Sequence, residues 1–522
     1  MTEKTVSKNP FTGEQIAEFA VTKKEELFSI VDKAREAQKK WEKTPIKQRI
    51  KRIKKIKDYL AANADKIAKQ ISKENGKTPT EALATEVLPA SIAVSYYCRT
   101  AKRFLKPYRP AGSSLLLFNK KAEIISQPYG VVGIISPWNY PFSIPFSEVI
   151  MALLAGNAVI LKTASISQLA GNMIKEAVAV AGLEEGIFNL VNLPGRIAGD
   201  TFIEAGIDKL FFTGSVETGR YLAKKAGEKL LPICLELGGN DPAIVLEDAN
   251  LVRAARGIAW AAFQNAGQSC GGVERVYVQK SVYERFLSLI TTYLDSLKYS
   301  LDGSEDADLS GMCTIAQAKK VEEHIKDAVE KGARIFYKKL LPKEISSHPL
   351  ALPPLILTEV NHNMQIMREE SFGPVIGVMA FESHDEALTL ANDSSMGLTA
   401  SVWTGSKKFA RYFAENLEAG VISINDHLMS HGMPELSWGG WKDSGIGWTH
   451  GRLGFAEFVR FKNICDDRLG ELSCELWWPP YRDGVYRALL SAIKAVYGRG
   501  FFARIGAWLR VAKAFIGMLF KR

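Results

Sequence analysis

Apolar residues recur at helical spacing, with charged faces between them, over 24–41 and again over 49–73, so the first 105 residues are predicted to be mostly helical. Partial alternation over 113–127 predicts a hairpin strand pair. From Tyr129 the texture changes. Short apolar runs at 131–135, 159–161, 188–191 and 209–212 alternate with helical stretches, one of them closing over 175–181. A second series runs from Pro242 to about Leu436 and contains apolar runs at 243–246, 275–278 and 421–424. Alternating strands and helices imply parallel sheets covered by helices on both faces, so the chain up to about Asn463 is predicted to form two α/β domains. Phosphate-bearing ligands bind such sheets at the carboxyl ends of the strands.

The longest apolar run, 143–161, is interrupted by Glu148 and by Ala155-Gly156-Asn157, which favours a buried helix, a turn and a buried strand over a membrane span. Residues 1–11 are polar and charged and lack the apolar stretch of a secretory signal. Six scattered cysteines with no CxxC pair argue against a zinc site or a disulfide framework and fit a reducing cytoplasm.

Charge changes the picture at one end. The net charge is +10, yet residues 484–522 hold eight Lys or Arg and no Asp or Glu, which leaves +2 for the rest. The body therefore lacks the cationic excess that a nucleic-acid partner demands. Ahead of the basic tail, Trp477-Trp478-Pro479-Pro480-Tyr481 reads as a rigid aromatic linker. A helix from Gly500 would place Phe501, Ile505, Trp508, Leu509, Ala512, Phe515, Ile516 and Leu519 on one face, with Arg510, Lys513 and Lys521 largely outside it. Tyr486, Leu489, Leu490, Ile493, Val496 and Tyr497 repeat the pattern upstream. A basic amphipathic helix suits an anionic membrane surface; docking on its own or a neighbouring subunit is the alternative.

Four segments carry chemistry: Pro137-Trp138-Asn139-Tyr140-Pro141, Leu235-Glu236-Leu237-Gly238-Gly239-Asn240, Gly267-Gln268-Ser269-Cys270 and Glu369-Glu370-Ser371-Phe372-Gly373-Pro374. A lone cysteine is more often an inert buried residue than a nucleophile. In this company Cys270 reads as a nucleophile, and Gly271-Gly272 keep neighbouring side chains away from its sulfur. Together and in this order, the four segments resemble the aldehyde dehydrogenase superfamily, over about Asn9 to Asn463.

The resemblance implies an α/β aldehyde dehydrogenase fold. Its parts would be a Rossmann-like cofactor domain (1–105 and 129–237), an α/β catalytic domain (238–445) and a bridging β oligomerisation element (106–128 and 446–465), with C-terminal amphipathic helices in the basic tail (466–522). It further implies NAD(P)-dependent oxidation of an aldehyde to a carboxylic acid through a Cys270 thiohemiacetal and thioester, in a homodimer or homotetramer. Asn139 matches the side-chain donor to the oxyanion, a role the backbone N–H of Cys270 shares. Glu236 matches the general base that activates water, which favours hydrolysis over transfer to coenzyme A; burial among Leu235, Leu237 and glycines would raise its pKa. With Cys270, Asn139 and Glu236 all present, an inactive structural relative is disfavoured.

For NAD or NADP, no GxGxxG follows a strand. Instead Gly214-Ser215-Val216-Glu217-Thr218-Gly219 opens a helix whose N–H groups can approach a phosphate. Lys162 matches the lysine that holds the adenosine ribose and Glu370 the carboxylate that holds the nicotinamide ribose. Trp138, Leu237 and Phe372 fall at cofactor-lining positions. Ser165 departs from many NAD-dependent members, which carry glutamate there; serine does not repel a 2′-phosphate, so NADP should be tolerated. His427 and His431 stand four apart without a third ligand nearby, and are read as part of a loop over the substrate entrance rather than as zinc ligands.

The segment His431 to Gly440 resembles bacterial members acting on long apocarotenoid dialdehydes. With the tail, this points to a long apolar aldehyde, oxidised in the cytoplasm or peripherally on the inner membrane face. Succinate semialdehyde or another small soluble aldehyde is the alternative.

Overall fold

The computed structural model describes residues 3–473, 475, 477–479, 481 and 484–519. Pro480, Lys521 and the side chain of Leu519, named above, and Cys474, one of the six cysteines, lie outside that set. The chain divides into two compact units, Met1–Phe104 with Pro128–Arg460, and Leu105–Gln127 with Phe461–Arg522.

Two sheets organise the first unit. In the six-stranded sheet the order is Gly445–Ile446, Ile233–Glu236, Lys209–Thr213, Val131–Ile135, Ala158–Lys162, Phe188–Leu190. All neighbours are parallel except the first pair. Two interior runs, VVGII and AVILK, are buried at every residue, as parallel strands covered on both faces must be. The seven-stranded sheet runs Arg334–Lys338, Leu355–Thr358, Val375–Phe381, Val273–Gln279, Asp241–Val245, Thr399–Trp403, Val421–Ile424, again with one antiparallel pair at an edge.

The apolar run around Glu148 becomes the helix Ser143–Ala155, buried at every position, followed by the strand Ala158–Lys162. Gly156 ends the helix at φ 102°, and a Cβ there would meet Arg49 Nη1 at 2.3 Å, so glycine is required twice over. The first periodic stretch is the helix Lys24–Trp41, and the second is split into Ile46–Ile53 and Lys55–Asn75.

Two expectations need correction. Residues 113–127 are not a hairpin: Leu115–Leu117 form a 3₁₀ turn capped by Ser114, and Lys120–Pro128 is one long strand paired with Val459–Asp467. Alternation marks a strand but does not name its partner, here over 300 residues away. The amino-terminal stretch also carries an antiparallel hairpin, Lys4–Lys8 with Gln15–Ala20, where helix was expected. Its exposed, polar-rich strands gave no apolar run to read.

The second unit combines that two-stranded ribbon with two helices, Val485–Tyr497 and Phe501–Leu519. Lys120 bridges Asp467 and Glu475 within it. Among the described residues no helix is long and apolar enough to cross a membrane.

Candidate active site

The carboxyl ends of four adjacent parallel strands supply half of the site: Lys162 ends one, Trp138-Asn139 follow the next, Gly214-Ser215 the third, and Glu236-Leu237 the fourth. Cys270 comes from the other sheet, in the turn before the strand Val273–Gln279. That turn is wound left-handed through Asn265, Ala266 and Gly267, at φ 51°, 54° and 71°. A Cβ on Gly267 would meet the Gly373 carbonyl at 2.2 Å, so the cysteine loop is pressed onto the Glu369–Pro374 segment. Glu274 holds the same segment by accepting from the Ser371 and Phe372 N–H groups at 3.0 and 2.8 Å.

Asn139 is buried, and its Nδ2 donates to the Gln268 carbonyl at 3.1 Å, two residues before the cysteine. A primary amide has two N–H donors, so one remains free of this bond. The Asn139 carbonyl accepts from Lys77 Nζ at 2.8 Å, and Lys77 pairs with Glu86 at 2.7 Å with both side chains fully buried. Gln268 in turn is fixed by its amide, which donates to the Asn265 carbonyl and accepts from the Cys313 N–H.

Cys270 is half-buried and has no cation beside it. Burial pushes its thiol well above the usual range, and the nearby Glu370, Asp241 and Glu236 carboxyls add to the effect. Glu236 is fully buried and both of its oxygens lack a hydrogen-bond partner among the described residues. Burial lifts it well above the ordinary carboxylate range, with further contributions from Glu148 and Glu457. Glu148, pushed up to about 8 by burial, lines the same small cavity as Glu236, Cys270, Thr213, His431 and His450. In the sequence Glu148 shows only as the charge that interrupts an apolar run.

A second, larger pocket of about 220 Å³ reaches Cys270 from the surface. Its wall includes Ala84, Leu88, Pro89, Ile92, Trp260, Leu428, Met429 and Trp438, and none of the lining residues is Lys, Arg, Asp or Glu. Leu88, Ile92, Trp260 and Met429 are exposed at its outer part. One wall is formed where the helix loosens into a π-turn at Leu83–Val87, a local rearrangement that is frequent at functional sites.

The histidines depart from expectation in part. His427 does not lie over an entrance: it is buried, and its Nε2 donates to the Gly271 carbonyl at 2.8 Å, bracing the cysteine turn from below. His431 does line the pocket, stacked on Tyr140 and edge-on to Trp438. Burial lowers both to about 4, so both are neutral.

The remaining residues bear on a cofactor. Lys162 is buried, lowered to about 8 by burial, and has no hydrogen-bond or ion-pair partner among the described residues. It faces Gly195, where the helix Gly195–Glu204 begins, with the exposed Arg196 next along. Ser215 caps the helix Val216–Glu228, its Oγ accepting from the Thr218 N–H. A Cβ on Gly219 would strike the Leu237 side chain at 2.5 Å, so glycine lets this helix sit flush against the strand end. Trp138 and Phe372 meet edge to face at 5.6 Å, and Glu370 accepts from the Gly239 N–H at 3.1 Å. An unpaired buried ammonium beside a helix N-terminus is the donor set that a dinucleotide with phosphates and ribose hydroxyls satisfies.

Residues 1–464 match the family described as the aldehyde dehydrogenase family, and the chain belongs to it. A 4,4′-diapolycopene aldehyde oxidase from Methylomonas sp is 36% identical over 94% of this chain and 91% of its own length. A protein of Mycolicibacterium smegmatis, provisionally named as an NADP(+) succinate-semialdehyde dehydrogenase, is 35% identical over 88% of each. Among solved structures, an NAD-dependent aldehyde dehydrogenase from Sinorhizobium meliloti superposes with a TM-score of 0.85 at 30% identity, covering 92% of this chain and 93% of that one. The protein is thus an NAD(P)-dependent aldehyde dehydrogenase.

Proposed function

We propose that the enzyme oxidises long apolar aldehydes to carboxylic acids through an acyl thioester on Cys270. The sulfur rests as a thiol and yields its proton to Glu236, whose raised basicity suits the transfer, as the new C–S bond forms. The carbonyl oxygen becomes an oxyanion, held by the free N–H of Asn139 and the backbone N–H of Cys270. When bound, NAD(P) supplies the acceptor for the hydride that leaves this carbon. Glu236 releases that first proton to solvent and then takes one from water as the water attacks the thioester; the C–S bond breaks, and the departing thiolate recovers a proton from Glu236. Glu148, across the cavity, keeps Glu236 basic by its like charge.

Lys162 and Glu370 would hold the two riboses, Gly214, Ser215 and Gly219 the pyrophosphate, and Trp138, Leu237 and Phe372 the nicotinamide side. No carboxylate stands at Ser165, and Arg196 lies one residue beyond the Gly195 that Lys162 faces; both favour acceptance of NADP.

The observation that carries the substrate reading is the pocket wall. It offers no cation to a substrate carboxylate, which argues against succinate semialdehyde, and it offers apolar area along its length. Such a substrate dissolves in lipid, and the basic, apolar second unit suits a peripheral enzyme on the cytoplasmic membrane face. A homodimer or homotetramer is supported by the strand Val459–Asp467, which leaves Phe461 and Ile464 exposed.

The test is a series of straight-chain aldehydes alongside succinate semialdehyde, each with NAD and with NADP. We expect kcat/KM to rise with length, by no more than the ~0.8 kcal/mol that each buried methylene contributes. Preference for succinate semialdehyde over an alkanal of equal length would overturn the reading.

A further inference from the structure

The positions buried in the helical pair of the second unit are small. They are Ala488, Ser491, Ala492 and Ala495 in the first helix and Ala507 and Val511 in the second. Arg504 Nε donates to the Ala495 carbonyl at 3.1 Å and Arg510 Nε to Ser491 Oγ at 3.3 Å. As one index rises the other falls, so the helices run antiparallel, joined by Gly498-Arg499-Gly500. The turn needs its last glycine, which sits at φ 88°.

The large side chains point the other way. Tyr486, Leu490, Ile493 and Tyr497 recur at i, i+4, i+7 and i+11, and Phe502, Ile505, Leu509 and Ile516 at i, i+3, i+7 and i+14. At 3.6 residues per turn each set forms one stripe, opposite the alanine seam. Both stripes are exposed: Tyr497 retains 71% and Phe502 85% of its surface. The turn Leu115–Leu117 extends them, since Phe118 packs on Phe515 at 5.7 Å while Leu115 stays 75% exposed. Arg487, Lys494, Arg499 and Lys513 are also exposed, and no Asp or Glu occurs from residue 484 onward.

We propose that this hairpin and the adjoining Leu115–Phe118 turn are a docking surface for an anionic phospholipid bilayer, lying in its interface without crossing it. Charge selects this occupant. A second copy of the hairpin would bring its own unpaired cations against these, whereas lipid phosphates neutralise them and acyl chains take up the stripes. Among the described residues neither helix is long and apolar enough to cross a membrane. The proposal takes its purpose from the apolar-substrate reading above, but its test does not depend on it.

Full-length enzyme is to be floated with vesicles of phosphatidylcholine alone and of equal parts phosphatidylcholine and phosphatidylglycerol, without aldehyde. We expect binding to the anionic vesicles only. Phe501→Ser, Phe502→Ser and Leu509→Ser combined should lower the partition coefficient by about tenfold or more, because these side chains supply the apolar part of the attachment. Arg487→Gln with Lys494→Gln should weaken it and flatten its salt dependence. Oligomeric size and turnover of a short soluble aldehyde should be unchanged in both variants. Failure of the wild type to float with anionic vesicles would overturn the proposal. So would a change of oligomeric size in the serine variant, which would make the stripes a subunit contact. Vesicle binding without preference for long aldehydes would leave the proposal standing and sink the substrate reading; preference without binding would do the reverse.

Discussion

The catalytic body and the carboxyl-terminal hairpin bury opposite kinds of residue. In the body, Trp41, Trp403, Phe142, Phe146, Phe202 and Phe211 are fully enclosed, and Val131–Ile135 and Ala158–Lys162 of the six-stranded sheet are buried at every residue. In the hairpin the enclosed residues are alanines, a serine and a valine, while Tyr486, Phe501, Phe502 and Leu509 stay in solvent. A large apolar side chain gains ~1.5–3 kcal/mol on full burial. The body has collected that energy from its own fold. The hairpin has left it to be collected from another surface.

The largest expected effect in the body is chemical. Cys270→Ala removes the atom that forms the covalent bond and should abolish dehydrogenase activity, with NAD(P) binding by calorimetry nearly intact. Residual turnover within about tenfold of wild type, a barrier change of only ~1.4 kcal/mol, would refute the assignment. Next comes packing. Phe202→Ala should cost ~3–5 kcal/mol in denaturant unfolding, whereas Phe502→Ala should stay within ~0.5 kcal/mol, because only the first empties a filled space. Equal costs would erase the contrast between the two regions.

A smaller effect separates the carboxyls. Burial and then Glu148 raise the pKa of Glu236. Glu148→Gln removes a like charge and should lower that pKa, so Glu236 stays in its basic form to lower pH. The acid limb of the kcat–pH profile should therefore move to lower pH. A limb that stays in place, or moves up, would show that Glu148 does not act on the base.

The strand-and-helix alternation was legible because central parallel strands are continuous apolar runs, such as AVILK at 158–162. The four motifs were legible because each packs its chemistry into a few adjacent residues; Glu236 and Cys270 line one small cavity, and Asn139 donates to the Gln268 carbonyl. What stayed hidden depends on distant partners. The long pocket is assembled from segments near 88, 140, 264 and 430, and no segment's own pattern names the others as its partners. The Lys77–Glu86 pair reads in sequence as two ordinary surface charges, and only the π-turn at Leu83–Val87 and the fold around Asn139 make it buried support. In the tail the periodic apolar face was visible, but not that alanines would take the inside and the aromatics the outside.

Under the proposed reaction a long apolar aldehyde is oxidised through a thioester on Cys270 that Glu236 resolves. The most direct test is Glu236→Gln mixed rapidly with NAD(P) and a long straight-chain aldehyde, followed by intact-mass and peptide mass spectrometry. The expected result is a burst of reduced cofactor approaching one per active site, then a stall, with the acyl group on the peptide that contains Cys270. Sustained turnover at the wild-type rate, or an acyl group on a different cysteine such as Cys313, would contradict it.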